Sequence, residues 1–167
     1  MKKIMELLQN MKAKNEKKDN KGFSLVELII VIAIMAILVG IVGTQVIPYL
    51  GKSKASKDQQ VLNSFSTAAV TAYSENAESM PTTGTLTVKV YGSNAADSAE
   101  AKLAEAIQTN TGYKTKAELV KQFASDAKTM TEDIIVKIDI DNHDVTTSIY
   151  YGKSTPKYKV TDVKATL

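Results

Sequence analysis

Residues 21–34 read Lys21-Gly22-Phe23-Ser24-Leu25-Val26-Glu27-Leu28-Ile29-Ile30-Val31-Ile32-Ala33-Ile34, and from Leu28 to Gly43 every side chain is apolar or absent. The run from Phe23 to Gly43 is about 21 residues long, enough to cross a bilayer as a helix that rises 1.5 Å per residue. The pattern predicts a membrane segment. One residue departs from it. Glu27 places a carboxylic acid near the start of the apolar run, where ionisation without a partner is costly. Taken alone the acid supports two readings: it sits at headgroup level beside Ser24 and snorkels to water, or it serves a partner inside the membrane.

Charge on either side gives the segment a direction. Lys2, Lys3, Lys12, Lys14, Lys17, Lys18 and Lys21 precede it against Glu6, Glu16 and Asp19, whereas Lys52, Lys54 and Lys57 follow it. The larger cationic bias lies on the N-terminal side, so the N-terminus is expected to stay cytoplasmic. The formal net charge of +3 belongs mostly to this leader, and the rest of the chain is close to neutral. Such a distribution predicts no polyanion face and no nucleic-acid partner. With no Cys, the chain has no disulfide framework, thiol nucleophile or thiolate zinc cluster. The domain after residue 52 is expected to be held together by burial alone.

The junction Lys21-Gly22-Phe23-Ser24-Leu25-Val26-Glu27 and the apolar run after it resemble the class III leader of type IV pilins and pseudopilins. The resemblance implies a precursor cut by prepilin peptidase between Gly22 and Phe23, with N-methylation of the new amine at Phe23. It assigns Glu27 to subunit assembly, pairing with the N-terminal amine of a neighbouring subunit. Physically, the cut creates a cation at a helix N-terminus and the neighbour's carboxylate neutralises it in lipid. Gly22, lacking a side chain, lets a protease approach the backbone. The competing reading is an ordinary signal peptide or an uncleaved anchor. Against it, the apolar run is long for a signal-peptide core and no small-x-small cleavage site ends it.

Gly40, Gly43 and Pro48 mark an expected kink where the helix leaves the bilayer, because Pro48 lacks a helical donor and crowds the preceding turn. Pilins that this chain resembles carry their helix-breaking proline about four residues earlier, at the place of Thr44. A stretch that lengthens under tension and a static kink both remain open. Beyond Lys52, Val61, Leu62, Phe65, Ala68, Ala69, Ala72 and Tyr73 recur at three- and four-residue steps. The expectation is one long helix from about Ser24 to Asn76, membrane-spanning in its first half and amphipathic in its second. Met80-Pro81-Thr82-Thr83-Gly84 then turns the chain, and Thr85 to Tyr91 alternates as a strand. Two short helices are expected over Ala95 to Thr109 and from a capping box at Thr115-Lys116-Ala117-Glu118 through Leu119, Val120, Phe123 and Ala127. Strands are expected over Asp133 to Ile140, Val145 to Tyr151 and Tyr158 to Val163, joined as an antiparallel meander. The predicted fold class is α+β, a long helix packed on that meander, which is the architecture of type IV pilins. The expected division is a leader peptide 1–22 that is removed, a transmembrane and assembly helix 23–51, and an extracytoplasmic pilin domain 52–167.

No catalytic constellation emerges, and no cofactor or metal site is expected. His143, the one histidine, falls in a predicted turn. Asp139, Asp141, Asn142 and Asp144 offer oxygens at a spacing that suggests Ca²⁺, but the loop lacks the glycine and distant glutamate of a calcium loop. Asn and Asp also suit a hairpin turn. Tyr113, Tyr150, Tyr151 and Tyr158 are read as packing residues rather than an adhesive surface. The functional expectation is a structural subunit, a major pilin, of a type IV pilus or fimbrium serving adhesion, motility or aggregation. The alternatives are a pseudopilin of a type II secretion or DNA-uptake system, and a membrane-anchored binding domain that never polymerises. The implied partners are further copies of the chain, prepilin peptidase, a pilus assembly ATPase and platform protein, and the membrane. The implied location is the cytoplasmic membrane, single-pass with its N-terminus inside, then the cell surface.

Overall fold

The computed structural model describes Lys3, Met5, Glu6, Gln9 and residues 23–153 and 155–167, so Gly22 and most of the leader lie outside the described residues. The chain falls into two units, Met1–Gln45 and Val46–Leu167. In the first, α1 spans Leu25–Ile41, and none of its residues is buried. A π-helical turn, Val42–Val46, follows and leads into α2, Ile47–Glu75. Helical structure thus runs from Leu25 to Glu75. The wide turn stands just before Pro48, which has no N–H to give the carbonyl of Thr44 four residues back. Thr44 Oγ1 in turn donates to the Gly40 carbonyl at 2.9 Å, a back-bond that loosens a helix.

The second unit is built on α2. Its 3–4 periodicity places Leu62, Phe65, Ala68, Ala69 and Ala72 in the core, with Val61 and Tyr73 half-buried at the edge of the stripe. The helix stops at Asn76, whose N–H and side-chain amide both donate to the Ala72 carbonyl. Four antiparallel strands form a sheet in sequence order: β1 Thr85–Lys89, β2 Asp133–Asp139, β3 Asp144–Tyr150 and β4 Val163–Thr166. Strand alternation and register together stack the core in rows. Leu86, Ile138, Val145 and Ala165 pair across the sheet, and so do Val88, Val136, Thr147 and Val163. Small alanines on α2 let the helix lie close to these rows, and α2 packs against β3 and β4.

Between β1 and β2 lie three helices, α3 Ala99–Thr111, α4 Lys116–Gln122 and the one-turn α5 Ala127–Met130. α3 starts four residues later than the apolar pattern predicts. Asp97 is left-handed at φ 58°, and Ser98 becomes the N-cap, accepting from the Ala101 N–H. α4 opens with the expected capping box. The Glu118 N–H donates to Thr115 Oγ1 at 3.3 Å, and the Thr115 N–H donates to Glu118 Oε2 at 3.1 Å.

α4 ends at Gln122 instead of running on to Ala127, and the cause is Asp58. This aspartate is fully buried on α2. Its carboxylate accepts from the Ala124 N–H at 2.7 Å, the Ser125 N–H at 3.1 Å and the Ser125 hydroxyl. Donors that a longer helix would have used internally are captured from across the core. The last strand is also displaced, to Val163–Thr166 rather than Tyr158 to Val163. In the predicted interval, Val160 N–H donates to the Tyr151 hydroxyl, while Thr161 donates its N–H to Gln59 Oε1 and accepts from Gln59 Nε2 through its carbonyl. Side chains, not a neighbouring strand, satisfy that backbone.

Asp58→Ala would leave the Ala124 and Ser125 N–H groups buried without acceptors. The expected effect is a loss of about 3 kcal/mol of stability, read as a lower urea midpoint. An unchanged midpoint would show that the carboxylate does not hold the α4–α5 connection.

Candidate functional site

The chemistry the sequence singles out gathers at the start of α1. Ser24 is the extended residue before the helix, at φ −63° and ψ 143°, and Glu27 lies in the first turn. Glu27 Oε2 accepts from the Ser24 N–H at 2.8 Å. The acid therefore covers one of the orphan donors at its own helix terminus, where the helix dipole also favours negative charge. This contact uses one carboxylate oxygen. The other oxygen has no donor among the described residues, so the group retains capacity to accept from a further partner.

The surroundings of that acid are apolar and uncovered. Phe23, Leu25, Val26, Leu28 and Ile29 are all exposed, Phe23 at 83%. The exposure extends along the whole of α1, on every side of the helix. Among the described residues, the helical stretch Leu25–Glu75 that α1 opens is the one helix long and apolar enough to cross a membrane. A helix that is apolar all round needs lipid or other protein around it. The segment is thus consistent with a membrane anchor whose sole acid sits at one end.

Residues 17–43 match the prokaryotic N-terminal methylation motif. That match is to the class III leader of type IV pilins and pseudopilins, a type that is usually non-enzymatic. It includes Phe23, Ser24 and Glu27 together with Gly22, which lies outside the described residues. The α+β arrangement, a long N-terminal helix with short helices and a four-stranded antiparallel sheet, agrees with a pilin-like fold. No curated protein and no solved structure matches the chain.

The remaining sequence candidates sit elsewhere. His143 is an exposed turn residue at φ 56° between β2 and β3. The nearby acids are engaged in shaping that turn. Asp139 accepts from the Asn142 side-chain amide at 3.0 Å and from its N–H at 3.1 Å, and these contacts hold the Asp139 carboxyl below its ordinary range. Asp141 accepts from the Gly84 N–H through both oxygens at 3.1 Å, tying the β2–β3 turn to the entry of β1. Among the described residues, no group of three His, Asp or Glu side chains is arranged to hold a metal.

The tyrosines divide. Tyr113 stacks on Phe65 with ring centroids 6.1 Å apart, and Tyr91 meets the same ring edge-on while its hydroxyl donates to the Tyr113 carbonyl. Burial raises the Tyr91 hydroxyl well above its ordinary range, with the Asp133 carboxylate adding to the effect. Tyr151 is buried, whereas Tyr150 is 52% exposed. Tyr158 lies against Gly51, in whose place any side chain would collide with its ring.

Two features escaped the sequence reading. Asp58 is one, although it falls in step with the stripe at Leu62, Phe65, Ala69 and Ala72, a spacing that signals burial. A second is a groove where lysines from the two ends of the domain sequence meet. No local pattern announces it, because its two sides are about a hundred residues apart in the chain.

Proposed function

We propose that the chain is a structural subunit, a major pilin, of a type IV pilus-like filament. One observation carries the reading: residues 17–43 match the methylation motif on a helix that is apolar on every side and buried on none. Prepilin peptidase would cut between Gly22 and Phe23, removing the leader 1–22. The segment 23–51 would then serve as anchor and as assembly helix, and 52–167 as the extracytoplasmic domain. Phe23 would carry the new, methylated amine. Apolar neighbours replace lipid around the helix when subunits pack, so the exchange never exposes it to water.

In this scheme Glu27 supplies the register. Its one engaged oxygen is held by the Ser24 N–H, and the other is available to the Phe23 amine of a neighbouring subunit. A subunit docked at the wrong height would leave both charges unpaired at low dielectric, a penalty of about 3–5 kcal/mol. Gly40 and Pro48 flank the π turn at which helicity would yield as subunits pack, and Gly43 lies within it; the back-bond of Thr44 supports this assignment. Extraction from the membrane would use an assembly ATPase and its platform protein. The filament would then present the domain at the cell surface for adhesion, motility or aggregation.

Intact-mass measurement of protein sheared from cells tests the processing step. The expected chain begins at Phe23 and carries one methyl group on its amine, and any other start contradicts the reading. Glu27→Ala is expected to leave cleavage intact while reducing filament yield at least tenfold, as judged by gold labelling of surface fibres. A normal yield of long fibres from that variant would remove the charge-pairing mechanism. If wild-type labelling finds only short stubs, the subunit is a pseudopilin.

A further inference from the structure

Lys52, Lys54 and Lys57 follow the apolar span directly, where cations weaken the charge bias that orients it. The fold brings more cations to the same place. An open groove of about 490 Å³ runs between the first turns of α2 and the segment that precedes β4. Lys52, Lys157 and Lys159 line it together with Ser56, Gln59 and Thr161, and among the described residues no carboxylate lines it.

This arrangement is held in place. Gln59 Nε2 donates to the Thr161 carbonyl at 2.9 Å, and Gln59 Oε1 accepts from the Thr161 N–H at 3.0 Å and hydroxyl at 2.8 Å. One side chain thus pins the loop to the helix. The Lys157 ammonium lies 5.6 Å from the centroid of the Tyr158 ring, an attraction that steadies a flexible cation. Like charges kept in one groove with no acid among them call for an anion.

What stands beside the groove indicates which anion. Ile47, Tyr49 and Leu50 immediately precede Lys52, and all three are exposed, Tyr49 at 72%. Exposed aliphatic and aromatic side chains followed by lysines are the composition of a segment at a bilayer surface. A freely diffusing phosphate would have no use for those apolar neighbours, whereas a lipid matches both parts. Lys and hydroxyl donors suit the non-bridging oxygens of a phosphodiester.

We propose that this groove binds the phosphodiester headgroup of an anionic phospholipid, so that the unit Val46–Leu167 rests on the bilayer before assembly. The inference depends on the reading that the preceding helix crosses the membrane. Release of the headgroup would then be part of leaving the membrane for the filament.

The chain has no Cys, so Thr155→Cys gives a unique dye position two residues from Lys157. The full chain carrying that dye is reconstituted into liposomes with a headgroup-labelled acceptor, in neutral phosphatidylcholine and in phosphatidylcholine with phosphatidylglycerol. Energy transfer is expected to rise in the anionic bilayer. Lys157→Gln with Lys159→Gln should return it to the neutral value, while Lys89→Gln with Lys102→Gln, an equal change of net charge elsewhere, should retain the rise. Equal transfer in both lipids, or equal loss in the control pair, would overturn the proposal. Loss of the rise with inorganic phosphate, but not with chloride of the same ionic strength, would assign the groove to a soluble anion and overturn the lipid assignment. Flotation separates the two readings. A chain that floats with both bilayers and shows no lipid-dependent transfer refutes only the groove, whereas one that floats with neither refutes the membrane span as well.

Discussion

A carboxylate on an otherwise unbroken apolar helix must find hydrogen-bond donors or a cation in every environment that helix enters. At Glu27 the first donor is internal, the N–H of Ser24, one of the groups a helix terminus always leaves over. A single acid can therefore be tolerated in lipid at the helix end while still having an oxygen to offer. Three positions further along the helix it would have lost that local partner, because interior N–H groups are committed to the helix itself. In the proposed function, the position of the acid, and not merely its presence, is what would let the segment serve both as an anchor and as an interface.

The domain unit shows the opposite treatment of a buried acid. Asp58 is enclosed and satisfied, with acceptors directed at two backbone donors and a hydroxyl of one connection. Its role is to shape the chain. Gln59, the next residue, faces another direction and fastens the segment before β4. Two adjacent polar residues on α2 thus fix two connections that have little regular structure of their own. The sheet and the alanine-rich face of α2 supply the apolar burial, and these polar contacts set where the intervening loops lie.

Where periodicity carried the signal, the sequence was readable. The stripe on α2, the alternation in β1, β2 and β3, and the box at Thr115 and Glu118 all appear where their residues place them. The start of α3, the end of α4 and the position of β4 were not readable, since each depends on a competing local or long-range partner. Asp97 takes a left-handed turn, Asp58 captures two donors, and Gln59 and Tyr151 occupy the backbone of residues 160 and 161. At the candidate site, Glu27 stood out because its neighbours are apolar. Its partner follows the same Ser/Thr-x-x-Glu spacing that opens α4. The lysine groove was hidden for a physical reason: its walls come together only when the chain has folded.

The most direct test of the central claim is a distance across the subunit boundary. Filaments would be assembled from a mixture of chains labelled with ¹⁵N at Phe23 and chains labelled with ¹³C at the Glu27 carboxyl. Solid-state dipolar recoupling would then read only contacts between different subunits. The account predicts a separation of about 4 Å, that of an ion pair. Filaments that form normally but show no such intermolecular coupling would contradict it.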